Sequence, residues 1–201
     1  MTANKREEQP KRKSLRLKSY DYSSAGAYFV TVCTKDRGQI LSRIVLPAKT
    51  PTDTEREPAQ QPYHMPQIQL TEIGKTVEKN LLSSKKISGV KVDRYVIMPD
   101  HVHVIFVFLS DKYAKGGIPA SSRVVGAPTP TGKNKNKSDP ANAMLPKVIS
   151  AFKRFCDKET GLRLFERGYY EHIIRDKEDY EAKVRYICEN PMRRLCKERN
   201  T

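Results

Sequence analysis

The chain has 201 residues, enough for one compact domain with extra segments, and only 37% of them are hydrophobic. Lys and Arg number 38 against 23 Asp and Glu, a net charge of +15; that single-sign excess favours nucleic acid before membrane as partner, and no apolar run approaches a membrane span. The four cysteines form no CxxC pair, which argues against a zinc knuckle or disulfide framework and predicts a reducing, cytoplasmic setting.

Residues 1–18 carry Lys5, Arg6, Lys11, Arg12, Lys13, Arg16 and Lys18 against Glu7 and Glu8. They read as a basic flexible arm without the apolar region of a secretion signal. The β-branched and aromatic stretch AYFVTVCTKDRG (27–38) predicts a strand that turns at Asp36–Gly38. Residues 46–66 are rich in Pro, Gln and Thr and read as a loop. Ile73, Val77 and Leu81 recur at four-residue steps, predicting an amphipathic helix over 71–86. Two apolar runs follow, at 90–98 and 101–109, with only Pro99 and Asp100 between them. That spacing predicts a tight antiparallel hairpin with Pro99 setting the turn.

Residues 111–140 form a second loop insertion, basic and of low complexity, with the composition of a disordered segment. Helical pattern resumes with Met144, Leu145, Val148, Phe152 and Phe155, and RGYYEHIIRD (167–176) reads as a strand. A last helix is expected from near Lys177 to a point before Pro191, because a proline pushes its predecessor out of helical space. The order gives an α+β, ferredoxin-like βαββαβ unit with an antiparallel sheet, both of its helices on one sheet face, and one additional C-terminal helix. Residues 19–201 are taken as one domain.

Two of the four histidines, His101 and His103, sit inside the apolar hairpin. Strand side chains alternate, so His101, His103 and Ile105 share one face while Val102, Val104 and Phe106 share the other. The valine side is the natural core side. Two imidazoles at i and i+2 on the opposite face can converge on a divalent cation, or can stand as two half-exposed polar residues. On the last helix Tyr180, Val184 and Ile187 form an apolar stripe. Tyr186 falls off it, and Asn190 lies one turn further on nearly the same face as Tyr186. A phenolate can attack a phosphodiester and hold it as a phosphotyrosine. A cation on the two histidines would polarise the phosphate, and Asn190 can supply an oxygen ligand. No P-loop, GxSxG, HExxH or CxxC offers a competing reaction.

MPDHVHVI resembles the histidine–hydrophobic–histidine signature of the HUH nucleases. The wider pattern is similar to the REP-associated tyrosine transposases, a branch of the single-tyrosine HUH transposases. The likeness rests on four blocks in order: SLRLKSYDYSSAGAYFVTVCTKDR (14–37), RYVIMPDHVHVI (94–105), ISAFKRF with LFERGYYEHIIRDKEDY (149–180), and VRYICENP (184–191). The resemblance implies a ferredoxin-like domain plus a helix bearing the nucleophile. It implies a metal-dependent transposase or endonuclease that cuts and rejoins single-stranded DNA near imperfect palindromic hairpins. Tyr186 matches the nucleophile, His101 and His103 the metal ligands, and Asn190 a polar position taken as third ligand. The product would be a 5′-phosphotyrosyl adduct with a free 3′-OH, using Mg²⁺ or Mn²⁺ and no nucleotide cofactor. Phe165 and Asp100 depart from the tryptophan and asparagine that the family pattern often carries there.

Arg193, Arg194 and Lys197 follow the tyrosine closely and lead the basic candidates for DNA contact, with Arg12, Lys13, Arg16 and Lys18 of the arm behind them. His172 reads as a hydrogen-bonded structural histidine, with a third metal ligand as the alternative. Tyr169 and Tyr170 can stack on bases, one of them being expected in the core. The competing reading is a non-catalytic protein that recognises hairpin DNA or RNA. Monomer and homodimer are both open, and a nucleoid-associated, cytoplasmic location in a prokaryote goes with the transposase reading.

Overall fold

A computed structural model describes residues 26–46, 65–109 and 144–199. The basic arm, most of the 46–66 loop and the 111–140 loop lie outside these residues, and with them Arg12, Lys13, Arg16 and Lys18. Six strands and three helices follow in order: β1 (Gly26–Cys33), β2 (Ser42–Val45), β3 (Gln67–Leu70), α1 (Glu72–Ser83), β4 (Val90–Ile97), β5 (His101–Phe108), α2 (Met144–Thr160), β6 (Tyr170–Ile174) and α3 (Lys177–Arg199). The main sheet has the order β4-β5-β1-β6 with every pairing antiparallel. Omitting the small β2–β3 hairpin leaves βαββαβ, the ferredoxin-like order read from the sequence.

One face of this sheet packs on α1 and α2. Tyr28, Val30 and Val32 from β1, Val92 from β4, and Val102, Val104 and Phe106 from β5 meet Val77 and Leu81 of α1 and Val148, Ile149 and Phe152 of α2. Alternation drives this, because every second residue of β1 and β5 is apolar and points the same way. The other face carries α3 over a much smaller apolar cluster, Ile105, Ile174 and Ile187, edged by Phe29, Val96, Tyr180 and Val184.

Three expectations are corrected. β1 stops at Cys33 rather than running to the 36–38 turn, and Lys35–Arg37 forms a short 3-10 turn with Asp36 and Arg37 in left-handed backbone. The β2–β3 hairpin was not expected at all. The last helix does not end before Pro191; it runs through it to Arg199. Pro191 is buried, and i,i+4 pairs of Arg193 with Glu189 and Arg194 with Glu198 span the residues around it. Packing and these pairs outweigh the backbone rung that proline cannot supply.

The β4–β5 turn is held from below. The Thr34 amide donates to the Asp100 carbonyl (3.0 Å), the Leu41 amide to that of Pro99 (3.0 Å), and the Ser42 hydroxyl to that of Ile97 (2.8 Å). Thr71 caps α1 by accepting from the Gly74 amide (3.0 Å), and its own amide donates to the Leu41 carbonyl. Gly74 lies so close that a Cβ there would stand 1.9 Å from the Leu41 oxygen. Only glycine lets α1 start against that backbone, and the same segment carries the turn where His101 begins.

Candidate active site

His101 and His103 project from β5 toward α3, as alternation requires. They are not half-exposed: His103 is 4% accessible, and their Nε2 atoms stand 3.0 Å apart. Each outer nitrogen has a fixed partner. His101 Nδ1 lies 2.7 Å from Asp100 Oδ1, and His103 Nδ1 lies 2.8 Å from the Thr31 hydroxyl on β1. In the tautomer in which each Nδ1–H donates to that partner, both Nε2 lone pairs aim at one spot. Lone pairs so placed repel unless a cation stands by them, and oriented imidazoles with outer-nitrogen acceptors are how proteins build such sites.

Burial favours the neutral rings. It lowers the pKa of His101, with the charges of Arg37 and Arg194 acting in the same direction against the opposing pull of Asp100. It lowers that of His103 to about 3, with His101 adding to the effect. For Asp100, burial pushes upward, but the hydrogen bond and charge of His101 and the charge of Arg194 outweigh it, so the carboxyl sits below its ordinary value. Neutral imidazoles beside an ionised carboxylate are the protonation states that metal ligation needs.

Helix α3 lies across this face. Its first turn is tied to both edge strands: Asp179 meets His172 of β6 (2.8 Å), and the Tyr180 hydroxyl donates to Asp93 of β4 (2.5 Å). His172 is thereby the structural histidine expected. Two turns on, the Tyr186 ring stands edge-on to both His103 (centroids 5.2 Å) and Phe29 (5.9 Å), and it keeps 37% of its surface open. Asn190 is 8% accessible, one turn beyond Tyr186, and Arg194 is one turn beyond that with a guanidinium nitrogen 3.4 Å from Asp100 Oδ2. Tyr186, Asn190 and Arg194 thus form one stripe, its first member at His103 and its last at Asp100.

The structure therefore brings together Tyr186, His101 and His103, places Asn190 between the two points of contact, and adds Asp100 and Thr31, which the sequence reading had not assigned to the site. The oxygen-rich surroundings and paired imidazoles suit a divalent cation. Among the described residues no group of three or more His, Cys, Asp and Glu side chains is placed to share a metal ion, and Asn190 lies outside that residue set. The basic candidates divide. Arg194 is held by Asp100 and Glu198, Arg193 pairs with Glu189 beneath the Tyr186 ring (5.8 Å to the centroid), and Lys197 is exposed.

No helix among the described residues is long and apolar enough to cross a membrane. No family profile matches the chain. An uncharacterised protein of Haemophilus influenzae is 27% identical over 183 residues, covering 90% of this chain and 88% of that one. The solved structure of a REP-associated tyrosine transposase bound to a REP hairpin aligns with 84% of this chain and 68% of its own, at 16% identity and a TM-score of 0.48. The crystal structure of a proposed transposase from Deinococcus radiodurans aligns with 88% of this chain and 98% of its own, at 14% identity and a TM-score of 0.40.

Proposed function

We propose that this chain cuts and rejoins single-stranded DNA near palindromic hairpins by transesterification, with Tyr186 as nucleophile and His101, His103 and Asn190 as ligands of a divalent metal. The observation that carries the reading is the packing of the Tyr186 ring against His103, whose Nε2 converges with that of His101. The tyrosine is partly open, as a group that must reach a polymer has to be, while His103 beneath it is buried, His101 is largely so, and both rings are neutral and oriented.

Tyr186 Oη attacks the scissile phosphorus, and the bond to the 3′ oxygen breaks. The phenol proton goes to that leaving oxygen, which departs as a free 3′-OH, and the 5′ phosphate stays on the tyrosine. Attack by a 3′-OH reverses the step and joins strands, so no nucleotide cofactor is required. A divalent cation, when bound, would polarise the phosphate and offset its developing charge. Two imidazoles with an amide oxygen suit Mn²⁺ better than Mg²⁺. Asp100 and Thr31 keep the imidazoles turned toward the phosphate, and Phe29 fixes the tilt of Tyr186. Arg193 and Lys197 contact phosphates, as do Arg12, Lys13, Arg16 and Lys18 of the arm. The protein acts in the cytoplasm, as monomer or homodimer.

The test is a denaturing gel of labelled single-stranded hairpin DNA incubated with the chain and Mn²⁺ or Mg²⁺. The expected result is a covalent protein–DNA band lost in Tyr186→Phe and in His101→Ala. Cleavage that survives Tyr186→Phe would make water the nucleophile. Binding with no adduct would leave a non-catalytic hairpin-binding protein.

A further inference from the structure

The proposed site would hold a phosphate, and the bases on either side of it need a surface of their own. The register supplies a candidate. Thr31 pairs with His103 on one side and with Tyr170 on the other, so His103, Thr31 and Tyr170 form one cross-strand row. Tyr170 begins β6 and points to the α3 face, as His172 and Ile174 do two and four residues later. Strand spacing puts its backbone about 10 Å from that of His103. The α3 flank above this row carries Lys183 over the Phe29 ring (5.7 Å) and then Tyr186.

Tyr170 is 53% exposed, while its neighbour Tyr169 packs on the main core with Lys153 over its ring. An exposed aromatic beside a half-buried one, on the row that ends in the paired histidines, offers a flat face to a base. Three residues upstream a cleft of about 500 Å³ opens, its charged lining Lys35, Lys153, Arg163 and Arg167 against Asp157 and Glu166. Lys153 at its floor is taken up by the carbonyls of Glu166 (2.8 Å) and Gly168 (2.6 Å). Lys35, Arg163 and Arg167 are all exposed. Because β6 is the sheet edge, a strand lying on Tyr170 can pass round its start into this cleft.

We infer that Tyr170 stacks on an unpaired base next to the scissile phosphate, and that Lys35, Arg163 and Arg167 hold the backbone of the same strand beyond it. The inference rests on the single-strand reading above. It assigns specificity for unpaired over paired DNA to an aromatic face that a duplex cannot meet.

The test is fluorescence polarisation with a fluorescein-labelled oligo-dT strand at several salt concentrations, in a Tyr186→Phe background that binds without turnover. Tyr170→Ala should weaken binding about tenfold, the worth of one stacked base, with the salt slope unchanged. Tyr170→Phe should bind like the background, because the ring remains. Arg163→Gln with Arg167→Gln should lower the salt slope by about 1.4, two phosphate contacts. Unaltered binding by Tyr170→Ala, or a Tyr170→Phe as weak as the alanine variant, overturns the inference. If the unsubstituted chain still forms its adduct in that case, only the stacking site has failed. If the background chain does not bind oligo-dT and the unsubstituted chain forms no adduct, both readings fail together.

Discussion

The two faces of the central sheet are built from the same strands and do opposite work. Under α1 and α2 the side chains of β1 and β5 are apolar and closed from water, and they interlock with two helices. Under α3 the alternate residues of those strands include Thr31, His101 and His103, and the buried apolar cluster among the described residues is just Ile105 with Ile174 of β6 and Ile187 of α3. A strand can serve both ends because its side chains alternate: neighbouring residues on β5 answer to different faces. The polar face sits where packing is thinnest, and the thick face keeps it in shape.

That division can be broken from either side. Tyr186→Phe should abolish adduct formation, a loss on the order of 10⁴-fold or more, while shifting stability by no more than about 0.5 kcal/mol in urea unfolding. Phe106→Ala, two residues along β5 from Val104 and fully buried, should do the reverse. It should cost about 4 kcal/mol of stability, and activity should fall only in step with the folded fraction. A Tyr186→Phe chain that unfolds, or a Phe106→Ala chain that is fully stable yet inactive, would erase the distinction.

Smaller effects sharpen it. Asp100→Asn keeps the shape of the side chain but weakens the acceptor on His101, so Mn²⁺ affinity, read by electron paramagnetic resonance, should fall about tenfold or more. Acid should expose the polar face through stability. His103 has a lowered folded-state value of about 3 against an ordinary 6.5, so the unfolded chain takes up the proton first. In chelator-containing buffer the stability should then be full above pH 6.5 and fall below it, by at most about 1.4 kcal/mol per pH unit for this group. A flat profile between pH 7 and pH 5 would remove the buried neutral histidine. The smallest effect is Ile187→Val under α3, about 1 kcal/mol, readable as a shift in thermal midpoint with the adduct yield kept.

Much of this was legible in the residues. Pro99–Asp100 between two apolar runs located the turn, and alternation alone put both histidines on one face. A helical period set Tyr186 apart from the Tyr180–Val184–Ile187 stripe. Other parts were not local enough to read. Ser42–Val45 and Gln67–Leu70 are four-residue strands whose pairing partners lie more than twenty positions apart, too short and too separated for periodicity to register. The contact of Arg194 with Asp100 could not be read locally, because the two lie 94 residues apart. Pro191 is a strong local breaker, and tertiary packing of a buried proline outweighed it.

The proline inside α3 has a mechanical consequence. Without an N–H at residue 191, the carbonyl four residues earlier, at Ile187, lacks its helical rung. The missing rung falls directly behind Tyr186. The helix is anchored before Tyr186 by Asp179 and Tyr180, and again beyond the gap, where Arg193 pairs with Glu189 and Arg194 with Glu198 and Asp100. In the proposed reaction those two sets of anchors would keep the Tyr186 ring over His103 while a bound strand loads the outer segment.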